Sequence, residues 1–141
     1  MDPSRPLRLG GYSGIWPRFS RGEPAHGFRQ QVQPAAVDGV GGRAITPWIA
    51  AGETVFVEGN FNARRGARTL RLVEDTGIDF VLVRGATYHF NRGLNLFGAI
   101  DHIGYIRAKP VGKPAVIRCK FEGEWPTGHH PVVADFKLPN R

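Results

Sequence analysis

The sequence predicts an α+β fold, an α/β layered unit in which a mixed β-sheet carries helices on one face. Five segments rich in β-branched and aromatic residues indicate strands, and only two segments have a helical pattern. Strands mixed with few helices are typical of a sheet covered by helices. The predicted elements lie within residues 43–138, and a chain of 141 residues can hold at most one such domain.

The first predicted helix and the first predicted strand come directly after one another. A helix is expected over 46–52, because Thr46 can cap it, Pro47 suits its first turn and Gly52 can end it. A strand is expected over 54–59, which reads Thr-Val-Phe-Val-Glu-Gly. This strand delivers two asparagines to the loop that follows it.

A second helix and second strand are predicted next. In the segment 67–74, Leu70 and Val73 fall on one helical face, and Gly77 stands where a left-handed cap is expected. Residues 79–83 then form a predicted strand. Three further strands are predicted over 100–106, 115–121 and 132–138.

Residues 1–42 are predicted to be irregular, or partly disordered, and to precede the domain at 43–138. The first 46 residues hold eight glycines and five prolines and no apolar run with a steady period. Such a segment loses much chain entropy on folding and has little apolar surface to offset that loss.

The net charge of +7 favours partners that carry phosphate, such as nucleic acid or phospholipid headgroups. A solvated basic surface is the alternative interpretation. One cysteine excludes an internal disulfide bond. The sequence has neither an apolar signal region at its start nor a segment of membrane-spanning length, so the expected location is the cytoplasm by default.

Three short segments place polar groups at the ends of predicted strands. They read Val-Glu-Gly-Asn-Phe-Asn-Ala over 57–63, Ala-Ile-Asp-His-Ile over 99–103 and Thr-Gly-His-His-Pro-Val over 127–132. In this order they resemble the last three signatures of the endonuclease/exonuclease/phosphatase family, the phosphoesterases related to pancreatic deoxyribonuclease. The resemblance covers roughly residues 43–138 and implies the C-terminal half of a four-layer α/β/β/α sandwich.

The resemblance implies a site for hydrolysing phosphoester bonds. Asn62 matches the family asparagine that helps to align water, Asp101 the aspartate that orients a histidine, and His129 the catalytic histidine that contacts phosphate. Asn60 stands where the family has an aspartate, and an amide can position a water but cannot accept its proton at neutral pH. We therefore expect Asn62, Asp101 and His129 to converge in space, with Asn60 beside them.

Further residues are expected to bind the substrate. Arg64, Arg65 and Arg68 follow the first signature and suit phosphate. His89 ends the stretch Thr-Tyr-His over 87–89, which resembles the family's Thr-aromatic segment. The resemblance implies Mg²⁺ as cofactor, but its ligands are largely missing here: Gly128 replaces a family aspartate, and no metal ligand is assigned.

Other interpretations of these residues stay open. Asn60 and Asn62 suit turns, Asp101 could bond local amides, and His129 with His130 could form an exposed loop pair. Glu58 shares the strand face of Asn60 and could replace the lost carboxylate, or be a buried, hydrogen-bonded residue.

The functional prediction is a truncated, diverged phosphoesterase domain with weak or no activity alone. The alternative is a basic, non-catalytic module that binds nucleic acid or phosphorylated ligands. If residues 43–138 formed only one sheet of the sandwich, its inner face would be uncovered. The chain would then be unstable or prone to aggregate alone, or it would cover that face by self-association or with residues 1–42. Phe56, Val81, Val83, Ile103, Ile117 and Val133 are the candidates to line one face or the other of that sheet.

Overall fold

The structure is a computed structural model, and it describes residues 7–11, 13–16 and 42–139. The described elements, in chain order, are β1 (Leu7–Gly11), β2 (Ser13–Trp16), α1 (Gly42–Ala50), β3 (Val55–Asn60), α2 (Arg68–Glu74), β4 (Asp79–Phe80), β5 (Asp101–Ile106), β6 (Lys109–Val116) and β7 (Val132–Lys137). Helices together with strands confirm the α+β class.

The strands form two sheets, and the prediction of one mixed sheet is wrong. One sheet has the order β1-β7-β6 and the other the order β2-β3-β5-β4. Every pairing between these described strands is antiparallel. Successive side chains point to opposite faces in parallel and antiparallel strands alike, and the pattern within one strand does not name its neighbour. The sequence therefore did not reveal which strands pair or in which direction.

The two sheets pack face to face through apolar side chains. Phe56 of β3 meets Phe136 of β7 with ring centroids 4.9 Å apart. Ile103 of β5 and Val132 and Ala134 of β7 are buried in the same cluster. This packing removes the expected uncovered inner face, because residues 43–138 supply strands to both sheets. The expectation of self-association through that face loses its basis.

Both described helices cover the opposite face of the four-stranded sheet. Ile45 of α1 and Leu70 and Val73 of α2 are buried against Val55 and Val57 of β3. The described residues therefore form three layers: helices, the four-stranded sheet and the three-stranded sheet. None of the helices in this part of the chain is long and apolar enough to cross a membrane.

A two-residue corner carries the chain from one sheet to the other. Strand β5 ends at Ile106, and β6, in the other sheet, begins at Lys109. Arg107 has a φ of 54°, in the left-handed region, and its Nη1 donates a hydrogen bond to the Ile49 carbonyl at 3.1 Å. The corner follows the last residue of β5, and Asp101 lies at the other end of this strand.

Several predicted boundaries differ from the structure. Residues 7–11 and 13–16 are strands although 1–42 was expected to be irregular, and the remainder of that segment lies outside the described residues. These short strands have glycine-rich sequences, and their pairing with β7 and β3 is what makes them extended. Helix α1 begins at Gly42, so Pro47 lies inside it.

Two predicted strands are shorter or shifted. The strand expected over 79–83 is limited to Asp79–Phe80. The one expected over 115–121 ends at Val116, and Cys119 beyond it is exposed. The helix expected over 67–74 is present as Arg68–Glu74, and Gly77 after it has a φ of 92°, as predicted.

Candidate functional site

Three polar residues meet where β3 ends and where β5 and β7 begin. Asn60 is the last residue of β3 and lies directly opposite Asp101, the first residue of β5. Asp101 Oδ2 lies 2.9 Å from His129 Nδ1, and His129 comes three residues before β7. The strands thus bring together two residues that are 28 positions apart in the chain.

A short two-stranded ladder fixes the position of His129. Tyr88 and His129 face each other across it. The His89 amide donates to the Gly128 carbonyl at 2.8 Å, and the His130 amide donates to the Thr87 carbonyl at 2.7 Å. The rings of Tyr88 and His129 lie 4.8 Å apart, so the ladder also packs the imidazole from the side.

Thr87 connects this ladder to Asp101. Its hydroxyl is buried and accepts hydrogen bonds from the amides of Ile100 and Asp101 at 3.0 and 3.1 Å. The same residue therefore fixes the backbone of Asp101 and, through its carbonyl, the chain next to His129. Thr87 was not among the predicted site residues, because a threonine hydroxyl bonded to main-chain amides leaves no distinctive sequence pattern.

The hydrogen bond to Asp101 determines which nitrogen of the His129 ring carries a proton. A carboxylate accepts hydrogen bonds, so the proton in this bond belongs to His129 Nδ1. This arrangement leaves Nε2 as the nitrogen that can meet a ligand: its lone pair can accept a proton, and a protonated ring can donate to an anion. The His129 side chain is 25% exposed and that of Asp101 13%, so the pair is reachable and partly shielded from water.

The two asparagines form the turn that follows β3. The Asn62 amide donates to Asn60 Oδ1 at 2.8 Å, and Asn62 has a φ of 49°. An asparagine tolerates this left-handed backbone better than most residues. No hydrogen bond joins the Asn62 side chain to Asp101 or His129 within the described residues, so the convergence expected of three residues is seen directly only for Asp101 and His129.

The predicted arginines lie on the exposed loop and helix after β3. The Arg64 guanidinium carbon lies 5.7 Å from the centre of the Phe97 ring. Arg65 and Arg68 are exposed, and among the described contacts neither makes a hydrogen bond or ion pair with Asp101 or His129.

His89 lies away from the candidate ligand surface. It is 0% exposed, and its ring packs against Trp125 at 4.5 Å and stacks on His130 at 4.2 Å. The ladder turns successive side chains to opposite faces, so His89 points inward where Tyr88 and His129 point outward. A fully buried ring cannot contact a ligand in this arrangement, and the expected role of His89 in substrate binding is therefore not supported.

Two other buried histidines have lowered pKa values. Burial is the main cause that lowers the pKa of His130, with further contributions from His89 and Arg118. Burial also lowers the pKa of His102, whose Nε2 lies 2.8 Å from the Ala63 carbonyl. His102 thereby ties the loop after β3 to β5, which is a structural role.

Gly128, where the sequence resemblance led us to expect an aspartate, has little room beside it. A Cβ added at Gly128 would lie 3.2 Å from the Tyr88 ring and 3.4 Å from Asn91 Oδ1. Tyr88 in turn packs against Phe90, with ring centroids 4.3 Å apart. A side chain added at position 128 would therefore need the Tyr88 ring to shift by a few tenths of an ångström.

The residues described at this site do not by themselves fit Mg²⁺. This ion prefers several oxygen ligands in an octahedral arrangement. In the described parts of the chain no three His, Cys, Asp or Glu side chains converge into a group that could hold a metal ion. Glu58 is buried on the face between the sheets, two residues before Asn60, and does not complete such a group.

Comparisons with known proteins add no relative: no family model matches this chain, and neither a curated protein nor a solved structure matches it significantly.

Proposed function

We propose that this chain is a truncated and diverged endonuclease/exonuclease/phosphatase domain, the C-terminal half of a four-layer sandwich. Its Asp101–His129 pair would receive the phosphate of a phosphoester. The proposal includes that the chain alone hydrolyses such esters weakly or not at all. The observation that carries it is the 2.9 Å hydrogen bond between Asp101 and His129, formed by residues that the sequence resemblance had paired.

The expected weakness of hydrolysis rests on the chemistry of Asn60. An amide can align a water molecule but cannot remove its proton, and a general base contributes about 10²- to 10⁴-fold in rate. In addition, Asn60 Oδ1 already accepts the Asn62 amide. Its remaining amide nitrogen can only donate, which suits contact with a phosphate oxygen better than activation of water.

The test compares turnover with binding on the full chain. Hydrolysis of a simple chromogenic phosphodiester, which contains no base or lipid, is measured with and without magnesium, and phosphate-ester binding is measured by calorimetry. We expect near-background turnover and detectable binding that His129→Ala abolishes. Asp75→Ala, a change at an exposed carboxylate after α2, is the control and should leave binding unchanged.

Two results would contradict this proposal. Binding that is unchanged in His129→Ala would show that His129 is not part of the binding site. Rapid magnesium-dependent turnover that His129→Ala abolishes would show an active enzyme instead of a weak one.

A second candidate function is a basic module that binds nucleic acid or phosphorylated ligands and does not hydrolyse them. The exposed side chains of Arg64, Arg65 and Arg68, in the loop and helix that follow β3, favour it. Salt-sensitive binding without any turnover, unaffected by His129→Ala and weakened by replacing the arginines, would support this function over the first.

A further inference from the structure

A row of aromatic rings leads outward from His129. The ring of Tyr88 lies 4.8 Å from His129 and 4.3 Å from Phe90. Phe90 lies 5.8 Å from Phe97, and the guanidinium of Arg64 lies 5.7 Å from the Phe97 ring centre. The row thus connects the candidate phosphate site at one end with a cation at the other.

The outer rings of this row face water. Phe90 is 36% exposed and Phe97 45% exposed, and both lie in the loop between the Thr87 ladder and β5. Exposed aromatic rings are costly to leave in water and provide large, rigid contact surfaces. Side by side next to a polar site, they are typical of a binding surface.

The loop that carries Phe90 and Phe97 contains a basic residue and no acidic one, which favours a negatively charged ligand. Arg92 lies in the same loop and Arg64 at its edge, while the segment 86–98 contains no Asp or Glu. A ligand that suits the row therefore combines flat rings with negative charge. Nucleobases joined by phosphates have this combination, and bases stack on aromatic side chains whatever their sequence.

We propose that the exposed rings of Phe90 and Phe97, with Tyr88 packed against Phe90, form a base-stacking surface for single-stranded nucleic acid. This proposal depends on the proposed function only where it places a phosphate at His129. The stacking of bases on the rings can be tested separately. A single strand is the expected form because its bases can leave their neighbours and lie on the rings, whereas bases in a duplex remain stacked inside it. Arg64 would contact a backbone phosphate beside Phe97.

The test is a binding titration of the full chain with a fluorescent oligothymidylate, which forms no duplex. Phe97→Ala and Phe90→Ala should each weaken binding about 5- to 150-fold, the range for loss of one stacked base. Phe97→Trp should retain binding, because it keeps an aromatic face. Phe121→Ala is the matched control: this phenylalanine is 72% exposed but lies in another loop, and its removal should change binding less than twofold.

Salt dependence separates stacking from charge. Arg64→Ala should reduce the slope of log affinity against log salt by about 0.7, the value for one phosphate contact on a single strand. Phe97→Ala should leave this slope unchanged. Thermal melting of each variant, compared with the unchanged chain, shows whether the fold is retained.

The proposal fails if Phe90→Ala and Phe97→Ala bind the oligonucleotide as the unchanged chain does, or if Phe121→Ala weakens binding equally. It also fails if duplex DNA, or vesicles containing anionic phospholipid, bind as tightly as the single strand. If Phe97→Ala has no effect but His129→Ala abolishes binding of the base-free phosphodiester, the stacking surface is wrong and the phosphate site stands. If instead Phe97→Ala weakens binding of the oligonucleotide and His129→Ala leaves binding of the base-free phosphodiester unchanged, the stacking surface is supported and the phosphate site is wrong.

Discussion

The buried hydroxyl of Thr87 accepts a hydrogen bond from the backbone amide of Asp101 at 3.1 Å. It accepts a second from Ile100 at 3.0 Å, while the Thr87 carbonyl accepts from His130. The two partners of the Asp101–His129 pair are therefore fixed by one residue that contacts neither side chain through a hydrogen bond of its own.

Replacing Thr87 with valine should destabilise the fold and loosen the pair. Thr87→Val keeps the shape but leaves two amides without an acceptor, which should lower the free energy of unfolding by about 1–3 kcal/mol. Chemical denaturation measures this change, and NMR of the His129 ring nitrogens measures whether Nδ1 still carries its proton. Thr54→Val, which removes one hydrogen bond at an exposed site, should cost less; equal costs would contradict the role assigned to Thr87.

Replacing Asn60 with aspartate should make stability depend on magnesium. Asn60→Asp can still accept the Asn62 amide, but it places a second carboxylate directly opposite Asp101. Like charges at opposed positions should destabilise the variant by up to about 1 kcal/mol in chelator. Millimolar magnesium should restore its melting temperature and leave the unchanged chain unaffected. A variant that melts identically with chelator and with magnesium would show that one added carboxylate does not create a metal site.

Adding a side chain at Gly128 should disturb Tyr88. The Cβ of Gly128→Ala would lie 3.2 Å from the Tyr88 ring, which must shift by a few tenths of an ångström. Where a ring cannot shift, overpacking costs about 1–3 kcal/mol. Gly98→Ala is the control, because nothing lies within 4 Å of its added Cβ. We expect a lower melting temperature for Gly128→Ala than for Gly98→Ala. A melting temperature of Gly128→Ala at or above that of Gly98→Ala would mean that the Tyr88 ring moves aside freely, and that position 128 has room for the carboxylate of Gly128→Asp.

Stability should fall as the pH drops below about 6.5. The pKa values of His102 and His130 are lowered from the ordinary 6.5, mainly by burial. Between each lowered pKa and 6.5 the unfolded chain binds more protons than the folded one, so the free energy of unfolding rises with pH in this window. The stability that depends on these two histidines being neutral is therefore fully present above about pH 6.5. It is lost progressively as the pH falls from there towards each folded-state pKa. Denaturation from pH 7.5 to 5 measures it.

Charge variants distinguish the contributions of His102 and His130 to the pH dependence of stability. The charged and titratable groups around His130 are His89 and Arg118, and those around His102 are Asp101, Arg65 and Glu74. Arg118→Gln should raise the pKa of His130 and reduce the loss of stability in acid. Arg84→Gln, another exposed arginine, should leave the pH profile as it is; a profile that changes equally in both variants would contradict the assignment to His130.

Local patterns in the sequence predicted part of this structure well. The helix at Arg68–Glu74 and the strands at Asp101–Ile106 and Val132–Lys137 follow from spacing and composition, because their buried residues repeat with the period of the element. The pairing of Asp101 with His129 was predicted from the family resemblance. Sequence patterns could not reveal that β6 and β7 form a second sheet, because that depends on the corner at Arg107 and on contacts between distant residues. They also gave no sign that the ring of His89 turns inward, since its direction is decided by the register of the ladder.

The pairing of β1 with β7 has a consequence for synthesis of the chain. Leu7 lies opposite Phe136, 129 positions later (136 − 7). A ribosome that adds about 5–20 residues per second needs about 6–26 s to make that stretch, so β1 waits at least that long for its neighbour. The time until strand β2 can pair is much shorter, because its partner β3 follows within 46 positions (59 − 13). The four-stranded sheet can therefore begin to assemble while the chain is still growing, and the three-stranded sheet is completed only once β7 has emerged.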